Sequence, residues 1–126
     1  MTMSPLNKIL TIKVLKFIVF AATLAGVFFR FYNLQWGAPY FFHPDERNIA
    51  SSVSQLSFPN QMNPHFFAYG SLPIYSIYFT GVLTNIVEKQ LAPNESATTQ
   101  VKFESAILIG RIFSSIFSVL IVFLMY

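Results

Sequence analysis

The sequence predicts an all-α transmembrane fold: three apolar helices, with a short amphipathic helix lying at the membrane interface in the first outer loop. Three observations predict it. Of the 126 residues, 54% are hydrophobic, 15 are Phe and only 10% are charged, too apolar and too poor in charge for an ordinary soluble domain. Long apolar runs fall at Val14 to Tyr32, Ala68 to Val87 and Ser105 to Tyr126, and each approaches the roughly 20 residues that cross a bilayer core of about 30 Å. Between the first two runs, His43-Pro44-Asp45-Glu46-Arg47 opens a stretch whose apolar residues recur at helical spacing.

The first span is expected at about 12–32. Lys8, Lys13 and Lys16 flank it on the N-terminal side, and positive residues near a span end favour the cytoplasm. A plasma-membrane protein with a cytoplasmic N-terminus follows, with an outer loop at 33–70. The same lysines ahead of an apolar core from Phe17 to Phe29 also fit a signal peptide. Ala25-Gly26 supplies no clean small-x-small cleavage site, and aromatic residues follow at once, so a retained signal anchor is the preferred reading. Arg30 falls near the outer end, where its stem can snorkel to the headgroups. Trp36, Tyr40, Phe41 and Phe42 follow as interfacial anchors, as do Phe66, Phe67 and Tyr69 before the second span.

Pro44 suits the first turn of a helix, and Asp45 and Glu46 meet the positive end of its dipole. Ile49, Ala50, Val53 and Leu56 then share one face of a short interfacial helix, which ends before Pro59. Residues 60–64 favour a turn. The second span is expected at 71–87, with Ser71 as cap and Pro73 in the opening turn. Residues 88–104 are assigned to the cytoplasm, although Glu88, Lys89, Glu95, Lys102 and Glu104 leave them at net −1; the N-terminal lysines carry the orientation. Asn94-Glu95-Ser96 fits the glycosylation pattern, and its use would contradict this topology. The third span runs about 105–126. Tyr126 lies inside apolar sequence, so the chain is expected to be the amino-terminal membrane segment of a longer protein.

The absence of cysteine rules out disulfides, thiolate metal sites and a cysteine nucleophile. The formal charge of +3 comes largely from the N-terminal lysines, and no basic patch with interleaved aromatics follows, so nucleic acid is not an expected partner. Two of the five acids, Asp45 and Glu46, are adjacent. On a helix they point about 100° apart and cannot pair on one face. One can enter a membrane-proximal cleft while the other caps backbone donors or meets Arg47. Desolvation near an apolar boundary raises a carboxylate pKa and suits it to acid/base work, whereas a nearby cation opposes that shift. The plainer reading makes both acids helix-start residues on a solvated loop. His43 either assists the acids, binds phosphate or simply precedes the helix. With His65, Asp45 and Glu46 it offers mixed N/O ligands without compact zinc spacing, which leaves a divalent cation held with substrate phosphate as an open expectation. Asn63-Pro64-His65 and Tyr69-Gly70-Ser71 either meet a headgroup or shape the loop. Arg111, placed on the cytoplasmic side by this topology, either snorkels to lipid phosphate or pairs inside a bundle.

His43-Pro44-Asp45-Glu46 after a signal-anchor helix, followed by Asn63-Pro64-His65-Phe66-Phe67-Ala68-Tyr69-Gly70-Ser71-Leu72-Pro73, resembles the start of the polytopic glycosyltransferases that use lipid-phosphate sugars. These are the GT-C enzymes of the protein mannosyltransferase-like and aminoarabinose transferase-like group. Ile109-Gly110-Arg111-Ile112-Phe113-Ser114-Ser115 is similar to an Arg-containing span opening in the same group. The resemblance covers nearly all of this chain and only the opening part of a typical member. It implies a GT-C-type helical bundle and inverting transfer of a sugar from a polyprenyl-phosphate donor to an acceptor hydroxyl outside the cytoplasm. It makes Asp45 the leading candidate base and Glu46 a neighbouring catalytic acid with a supporting or metal-related role. His43, His65, Tyr69 and Ser71 become the candidate substrate-binding residues, the last three near the donor phosphate. Where many aminoarabinose transferase-like relatives carry a lysine, this chain has Tyr69-Gly70-Ser71-Leu72-Pro73. The acceptor, whether glycan, lipid or protein, is left open. A polytopic transporter or headgroup-binding protein with non-catalytic loop acids is the alternative, and a small assembly subunit a third.

Overall fold

The computed structural model describes residues 5–91 and 98–125, with side chains from residue 11 onward. The Asn94-Glu95-Ser96 pattern, Tyr126 and the Lys8 side chain lie outside what it describes. Among the described residues there are four α-helices: α1 (Pro5–Phe31), α2 (Pro44–Ser54), α3 (Ser71–Leu91) and α4 (Phe103–Leu124). Among these residues no strand forms, and one bridge pairs Ser57 with Gln61.

The chain divides into two units, residues 1–33 and 34–126. The first is essentially α1. Within it, residues 11–31 are long and apolar enough to cross a membrane, and none of that stretch is buried within the protein. At about 1.5 Å per residue those 21 residues extend roughly 31 Å, a bilayer core's thickness.

The second unit packs α2, α3 and α4 around one core. Phe41, Val53, Leu56, Ile74, Ile77, Tyr78, Val101, Ala106 and Ile107 are its buried apolar residues, together with Ala50 and Ile109. α2 begins as its sequence dictates. His43 is the N-cap in extended conformation, Pro44 follows at the first helical position, and Asp45 and Glu46 occupy the first turn. The helix ends at Ser54, short of Pro59, because the chain turns to bury Leu56 completely and to pair Ser57 with Gln61. Ala50, Val53 and Leu56 form the expected apolar face, but it is covered by the core of α3 and α4. That face is therefore packed against protein and not free for lipid, while Asp45, Arg47 and Asn48 on the other side stay exposed. Phe41, expected as an interfacial anchor, is also buried and meets Phe103 edge-on, with ring centroids 6.4 Å apart.

α3 begins at Ser71 with Pro73 in its opening turn, as expected. It differs from expectation in apolarity. Two helical stretches among the described residues are long and apolar enough to span a membrane, 11–31 and 103–124, and α3 is not one of them. Its middle is instead wrapped by non-helical chain. The Tyr78 hydroxyl accepts from the Phe58 backbone N-H at 2.7 Å and donates to the Thr99 carbonyl at 2.8 Å. Asn85 Nδ2 donates to the Thr98 and Gln100 carbonyls, each at 3.1 Å. Gly81 is needed at this crossing because a Cβ there would come within 2.6 Å of Val101 Cγ1.

Candidate functional site

The site forms where α4 meets the head of α2. Arg111, two turns into α4, is only 7% exposed, and all three of its guanidinium nitrogens donate. Nη2 donates to Glu46 Oε2 at 2.7 Å, and Nε lies 3.2 Å from both Glu46 oxygens. Nη1 donates to the carbonyls of Leu34 at 2.6 Å and Trp36 at 2.9 Å. The cation also lies 4.8 Å from the Trp36 ring centre and 5.5 Å from that of Phe41. Charge-assisted, bidentate bonds of this kind are the strong ones, and a rigid planar fork suits them better than an ammonium. One arginine thereby joins α4, the head of α2 and the segment that precedes it. The snorkelling reading of Arg111, on the side of the membrane opposite the acids, is corrected: the residue pairs with one of those acids.

The adjacent acids are divided by this pairing. Glu46 turns inward, 29% exposed, with both oxygens engaged by Arg111. Asp45 points outward and is exposed, and among the described residues no salt bridge joins it to a cation. Its neighbour is Tyr69. A side-chain hydrogen bond with Asp45, then partial burial, then the carboxylate's charge hold the Tyr69 phenol above its ordinary value of 10.0. The phenol therefore stays protonated at neutral pH beside the carboxylate.

Tyr69 also lines an open groove of about 520 Å³ with Asn63, Pro64, Phe66, Phe67 and Ser71, closed by Met62 and Tyr75. The groove is shaped from below by two loop bonds. The Tyr75 hydroxyl donates to the Met62 carbonyl at 2.8 Å, and the His65 N-H donates to Asn63 Oδ1 at 3.0 Å, with His65 in the left-handed region at φ 50°. Tyr69 and Ser71, two of the residues singled out from sequence, thus share the groove, and Tyr69 links it to Asp45. His43 and His65 are both exposed, and neither lines it. The lining residues carry no cationic side chain.

Among the described residues, no group of three or more His, Cys, Asp or Glu side chains comes together to hold a metal ion. Glu46, the acid with a metal-related expectation, has its oxygens occupied by Arg111.

Sequence reasoning missed the Leu34 and Trp36 carbonyls as partners, and it left the pairing of Arg111 open. The available signal was a lone arginine in an apolar run together with an acidic pair in a chain of five acids, since buried charges in apolar surroundings are paired. Comparison with known protein families, with curated proteins and with solved structures finds no match to this chain.

Proposed function

We propose that this chain is the opening segment of a membrane glycosyltransferase that moves a sugar, with inversion, from a polyprenyl-phosphate carrier to an acceptor hydroxyl, with Asp45 as the base. The reading rests on the resemblance of the Asp45-Glu46 and Asn63–Pro73 segments to lipid-phosphate-sugar glycosyltransferases. The observation that carries it furthest is the division of labour between the two acids. Glu46 is held by Arg111, while Asp45 is solvent-facing, near Tyr69, whose phenol it holds above its ordinary value, and beside a groove.

In this mechanism the Asp45 carboxylate takes the proton from the acceptor hydroxyl as its oxygen attacks the anomeric carbon. The bond from that carbon to the phosphate oxygen breaks, and the electron pair leaves with polyprenyl phosphate. Tyr69, protonated at neutral pH, orients the carboxylate by donating to it. General-base assistance of this kind contributes about 10²–10⁴-fold. Because the resemblance extends over the opening part of a typical member, the activity belongs to the complete enzyme.

The test is transfer of label from polyprenyl-phosphate-linked mannose or aminoarabinose in membranes containing the full-length protein. Asp45→Asn lowers transfer by at least about 10²-fold with insertion intact, and Glu46→Gln lowers it less. Transfer at the unaltered rate by Asp45→Asn removes Asp45 from the role of base.

A further inference from the structure

We infer that α3 does not cross the membrane but lies along its outer surface with Leu72, Phe79, Leu83 and Ile86 against lipid, so that residues 34–102 occupy one side. The proposal goes beyond the reading of sugar transfer and does not depend on it.

The first argument is the chain wrapped around α3. Tyr78 lies about 10 Å along the helix from Ser71 and Asn85 about 21 Å, at 1.5 Å per residue. Both side chains are bonded to irregular backbone at 58 and 98–100, and Thr98, Thr99 and Gln100 are exposed. If α3 stood across a bilayer, these loops would sit at hydrocarbon depth facing lipid. Irregular backbone is not tolerated there, because each unpaired N-H or C=O costs several kcal/mol.

The second argument is the position of α4. Gln100 Nε2 donates to the Ser54 carbonyl at the end of α2, and Arg111 binds Glu46 at its start. The chain therefore enters α4 alongside α2, on the side where the loop after α1 lies. A crossing by α3 would require residues 98–103 to lie on the opposite side from α2.

The surface of α3 supplies the third argument. Leu72, Phe79, Leu83 and Ile86 are 78%, 49%, 62% and 44% exposed, and their spacing of seven, four and three places them in one stripe. Ile74, Ile77, Tyr78 and Gly81 form the buried face. The occupant of the stripe is lipid, since the same unit presents bare apolar side chains along α4, Phe117, Leu120 and Leu124 among them. Exposed Phe67 and Tyr69 immediately precede α3, as interfacial aromatics do.

The chain has no cysteine, so single cysteines introduced into the full-length protein report without background. With an impermeant maleimide on intact cells, Glu88→Cys and Lys102→Cys label from the same side as Gln35→Cys. Labelling of Glu88→Cys and Lys102→Cys only from the opposite side, after permeabilisation, overturns the proposal. Nitroxides attached to Leu72→Cys, Phe79→Cys and Leu83→Cys give similar shallow depths, about 5–10 Å below the headgroups. A profile that reaches the bilayer centre, about 15 Å deep, overturns it, and water exposure at all three positions overturns lipid as the occupant. Asp45→Asn leaves each of these readouts unchanged, so their outcome is separate from that of the transfer assay.

Discussion

Arg111 shows how much one side chain can decide. It serves Glu46 and two backbone carbonyls at once, and its loss leaves three acceptors without their donor. Truncating one member of a fully buried pair costs about 3–5 kcal/mol. Glu46 keeps some solvent contact, so Arg111→Ala is expected to cost less, on the order of 2–4 kcal/mol, read as a fall in thermal midpoint in detergent. Arg111→Lys restores the charge without the fork and recovers only part. At Asp45 the expected signature is spectroscopic. The Tyr69 phenol, identified by difference against Tyr69→Phe, ionises above 10.0, and Asp45→Asn lowers its pKa. The sign follows from the direction of the shift. A raised phenol pKa contributes stability that is present below the unfolded value and is lost as pH rises through the folded one. At this scale the sequence made both acids and Arg111 visible as unusual residues. It did not reveal which acid takes the cation, because adjacent residues on a helix diverge by about 100° and only the position of α4 selects between them.

Among the elements, α2 was the most legible, since Pro44, the acids behind it and the spacing of Ala50, Val53 and Leu56 specify its start and its apolar face. What covers that face was not legible, because an apolar stripe meets lipid and protein core equally well. The apolar run at 68–87 likewise read as a span, whereas α3 carries Tyr78 and Asn85 for bonds to loop backbone at 58 and 98–100. Two substitutions test that crossing. Gly81→Ala forces a Cβ to within 2.6 and 2.7 Å of the Val101 methyls and is expected to cost about 1–3 kcal/mol, with partial recovery when Val101→Ala is added. Tyr78→Phe leaves the Phe58 N-H and the Thr99 carbonyl unpaired, for a loss of about 1–3 kcal/mol. A melting curve for each variant in the same detergent checks both.

For the whole molecule, composition alone conveyed an all-helical, apolar chain, and two helices reach spanning length and apolarity. The second unit gathers the recognisable segments of the sequence, Asp45-Glu46, Tyr69 to Ser71 and Arg111, around one groove and one ion pair. Glu46 and Arg111 are 65 positions apart, so the order of synthesis has a consequence. At about 5–20 residues per second the ribosome delivers the arginine roughly 3–13 s after the glutamate. During that interval the nascent Glu46 carboxylate is without its cation. The pair that ties α4 to the head of α2 therefore closes only after most of the second unit has been made.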